Sequence, residues 1–348
     1  MIRVFDGHND ALMRYAPAGP ATIDEFFTRA EGVCVDLPRA REGGLVGGIF
    51  AVFIEDDATV AAFADFDPTS GPPPVPALDP VFARERAIAM AANLHRIAAA
   101  ANGKAEVIRD HAQLLRCMRE GVLAMVLHFE GAEPIDADLY ALELFYQAGL
   151  RSLGLVWSRP TIFAEGVPFT FPHSPDTGAG LTPAGERLVR ACNRLGIAID
   201  LSHLTEKGFW DVARISDAPL IASHSNAWTL TNSPRNLTDR QLGAIRDSRG
   251  IAGLNVLSAF VREDGRDAKD TPMSDLVRHV EYMVERMGID HVGVGADLGV
   301  PSYLPDVFRD ATAYPRLFEA LRERGFDDAA LAKIAHENWL RVLGETWK

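Results

Sequence analysis

Six side chains of this 348-residue sequence have the types and positions to do chemistry together: His8, Asp10, Glu130, His203, His224 and Asp297. Each stands at or just past the carboxyl end of an apolar run. Nitrogen and oxygen donors without sulfur suit zinc, with manganese or cobalt less favoured. Three histidines and three acids exceed what one tetrahedral zinc uses, so the natural division is two cations bridged by one carboxylate. Glu130 is the acid placed to bridge. Two cations a few Å apart can hold a hydroxide between them, polarise a carbonyl and stabilise a tetrahedral oxyanion. Asp297 would then be the general base that takes the water proton and returns it to the leaving nitrogen. No GxSxG elbow, CxxC pair, P-loop or plausible cysteine nucleophile offers a competing chemistry.

Singly, these signals are weak. An HxD such as His8–Asp10 more often marks a surface turn, and a lone histidine at a strand end more often hydrogen-bonds a loop. His128, two residues before Glu130, reads as a hydrogen-bonded core histidine rather than a ligand. The elements that carry the six residues change the weighting. Residues 197–202 and 219–223 are apolar, β-branched runs closing on His203 and His224, and 205–216 between them has a helical period with Thr205 as N-cap. That is a βαβ unit with both histidines at carboxyl ends of neighbouring parallel strands.

Further strands are expected at 2–5, 45–54, 122–127, 150–157, 251–256 and 291–296. Helices are expected at 79–101, 110–120, 137–148, 183–195 and 273–287, and over 314–347 with a break near Gly325. Capping boxes are read at Thr22/Glu25 and Thr238/Gln241. Eight strands alternating with helices, without a compositional break, predict an α/β fold: a (β/α)8 TIM barrel forming one domain over 1–348. The carboxyl ends of its strands form one rim, where the six residues meet. Long loops are expected at 55–80, a functional flap or partly ordered insertion containing Pro72–Pro74, and at 158–181. GVGADLG around Asp297 is a poor dinucleotide fingerprint, because its third glycine is misplaced.

A net charge of −13 excludes nucleic acid and anionic membrane surfaces as partners. The longest apolar run, 45–54, is too short to span a bilayer, and the opening MIRVFDGHND lacks an apolar leader segment. Cys34, Cys117 and Cys192 are widely spaced and read as reduced core residues. A soluble, cytoplasmic enzyme is the expectation.

Nearly the whole chain resembles the membrane (renal) dipeptidases and their bacterial relatives in the amidohydrolase superfamily. The likeness is strongest over 180–255, in GLTPAGERLVRACNRLGIAIDLSH, ASHSNA and SPRNLTD, with FDGHND, FEG and GIDHVGVGAD following the family in order. The resemblance implies a binuclear zinc barrel hydrolysing small dipeptides, including L-Xaa-D-Xaa. By position, His8 and Asp10 are implied ligands of one zinc, His203 and His224 of the other, Glu130 the bridge, and Asp297 the acid/base. Arg235 is implied to receive the substrate carboxylate, which its planar fork can grip bidentately. Relatives are usually dimers, so a homodimer is the expectation. Three positions depart from the family pattern. Trp157 replaces a histidine that helps bind the substrate carbonyl, Glu133 replaces the histidine of E-G-G-H, and the family's DFDG reads Asp297-Leu298-Gly299-Val300, losing an aspartate near the site. The alternatives are a related amide or ester hydrolase, such as an N-acyl-amino-acid deacylase or lactonase, and a catalytically silent metal-binding protein.

Overall fold

The structure, a computed structural model, describes residues 2–16, 19, 22–63, 75–299 and 301–348. The apolar runs become nine parallel strands: β1 (Val4–Asn9), β2 (Leu45–Val52), β3 (Ala105–Val107), β4 (Leu123–Glu130), β5 (Leu150–Gly154), β6 (Ala198–Asp200), β7 (Ile221–Ala222), β8 (Ile251–Leu254) and β9 (Val292–Val294). Eight of them close a barrel in the order β1-β2-β4-β5-β6-β7-β8-β9, with β9 returning to β1. The ninth, β3, was not expected. It pairs with β4 along Leu123–Met125, while β5 takes over from Leu127. Three residues are too few for an alternating pattern to be read in the sequence.

Helices begin where the sequence places their caps. Thr182, Thr205 and Thr238 accept backbone N–H groups at the starts of Pro183–Leu195, Glu206–Ile215 and Asp239–Asp247. The Thr238/Gln241 capping box forms, whereas the Thr22/Glu25 box opens only a 3-10 segment, Ile23–Phe27. The carboxyl-terminal region breaks at Gly325, between Tyr314–Glu323 and Asp328–Ala332. Among the described residues no helix is long and apolar enough to cross a membrane. All three cysteines are buried and unpaired, and burial pushes the Cys34 and Cys192 thiols up to about 12.

The amino-terminal end of the barrel is filled by Phe5, Ile49, Ala124, Val126, Ala198, Ile221 and Ile251, packed on Trp339 of the helix Asn338–Thr346. The indole N–H of Trp339 donates to the Val294 carbonyl at 3.0 Å. Hydrophobic filling at this end leaves the opposite rim to the polar groups.

Several boundaries differ from expectation. β1 does not stop at Phe5 but runs to Asn9, so His8 is a strand residue. The 55–80 segment holds a helix, Asp57–Phe63, while 64–74, with Pro72–Pro74, lie outside the described residues. β6 and β7 are shorter than their apolar runs because side chains take over the hydrogen bonds. The Asp200 carboxylate accepts from the Ser202 and Ser223 N–H groups at 3.0 and 2.8 Å, and Ser202 Oγ accepts from His224 N–H at 3.1 Å.

Candidate active site

All six residues meet at the carboxyl rim. His8 lies in β1 and Asp10 just after it. Glu130 ends β4, and His203, His224 and Asp297 lie two or three residues beyond β6, β7 and β9. Glu130 Oε1 is the common point, 3.0 Å from His203 Nε2, 3.4 Å from His224 Nε2 and 3.6 Å from His8 Nε2. On the other side, His8 Nε2 is 3.5 Å from Asp10 Oδ1 and 3.9 Å from Asp297 Oδ1. Two potential ligand groups result, Glu130/His203/His224 and His8/Asp10/Asp297. A third, His8/Asp200/His224, overlaps both, but the Asp200 oxygens are already committed to Ser202 and Ser223.

A register shift in β1 lets His8 face the site. Between Asp6 and Asn9, β1 advances three residues while β2 advances two, from Gly48 to Phe50. Phe5 packs on Trp339, and a Cβ at Gly7 would strike that same ring, so strict alternation would send His8 outward. The bulge re-aims it. His203 and Asp297 have φ of +68° and +60°, a left-handed backbone that costs an L residue about 1–2 kcal/mol. Their surroundings hold them there. Val167 N–H donates to the His203 carbonyl at 2.7 Å, Asp297 N–H to the His8 carbonyl at 3.0 Å, and Asn255 Nδ2 to Asp297 Oδ2 at 2.8 Å.

An outer hydrogen bond sets the His224 tautomer. Ser223 Oγ donates to Asp200 and so accepts from His224 Nδ1–H at 2.6 Å. Ser158 Oγ is 2.8 Å from His203 Nδ1. The Nε2 lone pair of His224 is therefore bare, and the Nε2 atoms of the two rings lie 3.1 Å apart. Both ring nitrogens of His8 and Oδ1 of Asp10 are buried without a hydrogen-bond partner. Each such orphan costs about 1–3 kcal/mol, and a divalent cation held by His8 Nε2 and Asp10 Oδ1 would remove it for those two atoms. The donor set fits metal ions. His128, by contrast, is buried with Nδ1 2.9 Å from Ser152 Oγ, and burial drives its pKa down to about 4.

Electrostatics polarise the cluster. Burial opposes ionisation of Glu130, but His8 and the His203 and His224 imidazoles set against its carboxylate outweigh it and hold the carboxyl well below the usual range. Burial likewise opposes protonation of His8, yet Glu130 and Asp10 raise it well above 6.5. Burial lowers His203 to about 3. Burial and the neighbouring Asp10 push Asp297 up to about 8.

The cluster floors a cavity of about 160 Å³ bounded by Trp157, Phe53, Phe63, Phe169 and Phe260, with Glu55, Asp267 and Tyr303 at its edge. That is a small-molecule volume, not a groove for a folded partner. Trp157 is 9% exposed and faces it. Arg235 is not in the lining: it is 3% exposed behind Phe260, its Cζ 5.4 Å from that ring. Its Nη atoms donate to Ser225 Oγ and the His224 carbonyl at 3.3 and 3.1 Å, while Nε has no partner. Sequence reasoning did not single out Asn255, Asp200, Ser158 or Ser223. The only local signal was the polar pair DLSH–ASHS after each apolar run.

A closed parallel barrel with imidazoles and carboxylates gathered at its carboxyl rim defines a metal-dependent hydrolase. The membrane dipeptidase family (peptidase family M19) matches residues 1–348. A metallopeptidase from Rhodobacter sphaeroides, crystallised with a phosphinate mimic of the dipeptide L-Ala-D-Ala, is 47% identical over 99% of both chains with a TM-score of 0.95. The dipeptidase AC, also of family M19, is 47% identical over 99% of both chains at 0.93. An uncharacterized Klebsiella pneumoniae protein from the pqqA 5' region is 46% identical over 256 residues, 73% of this chain and 94% of that one. The chain belongs to the membrane dipeptidase family, peptidase family M19, and is a metallo-dipeptidase.

Proposed function

We propose that this metallo-dipeptidase is a zinc enzyme with two cations, cleaving small dipeptides that include L-Xaa-D-Xaa. In this reading His8 and Asp10 hold one cation, His203 and His224 the other, and Glu130 is shared. The observation that carries it is the single oxygen of Glu130 within 3.6 Å of three histidine Nε2 atoms. The R. sphaeroides relative, with its L-Ala-D-Ala mimic, supports the substrate class.

When bound, the cations supply Lewis-acid polarisation and acidify water. The chain's own residues do the rest. Asn255 fixes one oxygen of Asp297, leaving Oδ1 free on the cluster side. Asp297 Oδ1 takes the proton of the attacking water and delivers it to the departing amide nitrogen. A cation beside Asp297 would draw its carboxyl down from the raised value into the range of a base. Arg235 receives the terminal carboxylate through its unpartnered Nε, once Phe260 yields, and Trp157 walls the cavity against water.

The test is a screen of L,L and L,D dipeptides beside metal analysis of the purified protein. Chelation should abolish turnover and zinc should restore it; full activity after chelation sinks the reading. Trp157 favours one second reading, a related N-acyl-amino-acid deacylase or lactonase, since it removes a polar substrate contact implied by the family. Arg235→Ala separates the two. It should raise KM for dipeptides by about 10- to 100-fold, the worth of a charged hydrogen bond, and leave a substrate without a free carboxylate little affected.

A further inference from the structure

Two of the chain's departures from the family pattern, Glu133 and Trp157, are joined by one buried guanidinium. Arg159 is 1% exposed. Its Nε donates to Glu133 Oε1 at 2.6 Å, Nη2 to the Ile54 carbonyl at 2.8 Å and Nη1 to Thr59 Oγ1 at 3.4 Å. Its Cζ lies 5.3 Å from the Trp157 ring and 5.6 Å from that of Phe53. One side chain thus ties together the turn after β4, the loop after β5, the residues following β2 and the helix Asp57–Phe63. Lysine, with a single point of charge, could not reach all three acceptors.

What this tie surrounds is an aromatic corner of the cavity. Trp157 is 4.9 Å from Phe53 and 5.6 Å from Phe63, ring to ring, and 5.8 Å from the His203 ring. The backbone leaves little slack behind it. Gly131 has φ +102° and a Cβ there would lie 2.2 Å from Glu133 Oε2; a Cβ at Gly166 would lie 1.8 Å from the Trp157 carbonyl oxygen. Burying an Arg–Glu pair is costly in desolvation. The return here is geometric, a fixed apolar wall beside the metal-ligand cluster.

The position of the corner selects which end of a dipeptide it meets. Arg235 packs on Phe260, Phe260 stacks on Phe169 at 6.0 Å, and Phe169 lies 5.3 Å from Trp157. The corner is therefore two rings away from Arg235. A dipeptide anchored by its carboxylate at Arg235 points its amino-terminal residue toward Trp157. We propose that the Glu133–Arg159 pair positions Trp157, Phe53 and Phe63 as a subsite for the amino-terminal side chain, making the enzyme selective for dipeptides with a bulky apolar first residue. This rests on the dipeptidase reading and on Arg235 as the carboxylate anchor.

The test compares kcat/KM for Gly-, Leu- and Phe-Ala, with L- or D-Ala according to which is faster, in zinc-loaded wild type, Trp157→Ala and Arg159→Lys. Wild type should favour Leu and Phe over Gly by about tenfold or more, the worth of a filled apolar pocket. Trp157→Ala and Arg159→Lys should each remove most of that preference through KM for the Leu and Phe substrates. Arg159→Lys keeps a charge for Glu133, and thermal unfolding with bound-metal content verifies its integrity. Phe63→Ala serves in its place if that variant does not fold. Preference unchanged in Trp157→Ala, losses equal across all three substrates, losses confined to kcat, or a wild type favouring Gly would each overturn the proposal while leaving the dipeptidase reading intact. Zinc-loaded wild type that cleaves no dipeptide overturns both.

Discussion

The Nε2 atoms of His203 and His224 lie 3.1 Å apart and both approach the same oxygen of Glu130. Their Nδ1 atoms are engaged by Ser158 and Ser223, so the two Nε2 atoms are turned toward each other and toward one carboxylate. A cation is the species that relieves such a juxtaposition.

Cation binding should be proton-linked through His8. Glu130 and Asp10 keep its imidazole protonated well above 6.5 against the effect of burial, and a ligand imidazole must be neutral. Below that raised pKa a proton competes with the metal, so apparent affinity should climb with pH across neutrality, by up to about tenfold per pH unit. Titration calorimetry of chelated protein with zinc, in buffers of different ionisation enthalpy, should register proton release. Uptake with no release would show His8 already neutral.

Ser223→Ala removes the hydroxyl between His224 Nδ1 and Asp200. The imidazole loses its tautomeric lock, and metal affinity should drop about 10- to 100-fold, as for other outer hydrogen-bond partners of metal ligands. A competition assay against a chromophoric chelator reads this directly. Unchanged affinity would mean that packing alone orients the ring.

Asp297→Asn keeps the shape of the side chain and its left-handed backbone but cannot shuttle a proton. We expect kcat to fall by about 10²- to 10⁴-fold with the metal retained. Asn255→Ala frees the same carboxylate from its hydrogen bond and should cost about tenfold in kcat. Equal losses from the two variants would argue that Asp297 serves mainly as a ligand.

Gly295→Ala probes the tight seat of the His224 segment. A Cβ there would lie 1.7 Å from the Ser223 carbonyl oxygen, and one at Gly253 would lie 2.0 Å from it. Because both contacts are to backbone, β7 must shift, at a cost of about 1–3 kcal/mol or more. A lowered Tm together with weakened metal retention is the expected result, and wild-type values for both would refute the contact. The glycine pattern that looked like a poor nucleotide loop is a close-packing device.

The sequence by itself determined a great deal here, for local reasons. Apolar runs of strand length, threonine caps at Thr182, Thr205 and Thr238, and chemical groups at run ends are properties of neighbouring residues. They were enough to specify a barrel and to bring His8, Asp10, Glu130, His203, His224 and Asp297 to one rim. The assignment of ligands to one cation or the other came from the resemblance alone.

Only the tertiary structure decided how those groups are aimed. The bulge that turns His8 inward exists because β1 must satisfy both the Trp339 plug below and the cluster above. The positive φ of His203 and Asp297 is held by partners such as Val167 and Asn255, tens of residues away in the chain. Arg159 reaches back 26 residues to Glu133, 100 to Thr59 and 105 to Ile54. Such couplings leave no periodicity in the sequence, since side-chain identity encodes neither backbone sign nor distant company. They become visible when the barrel closes and remote segments compete for the same few ångströms.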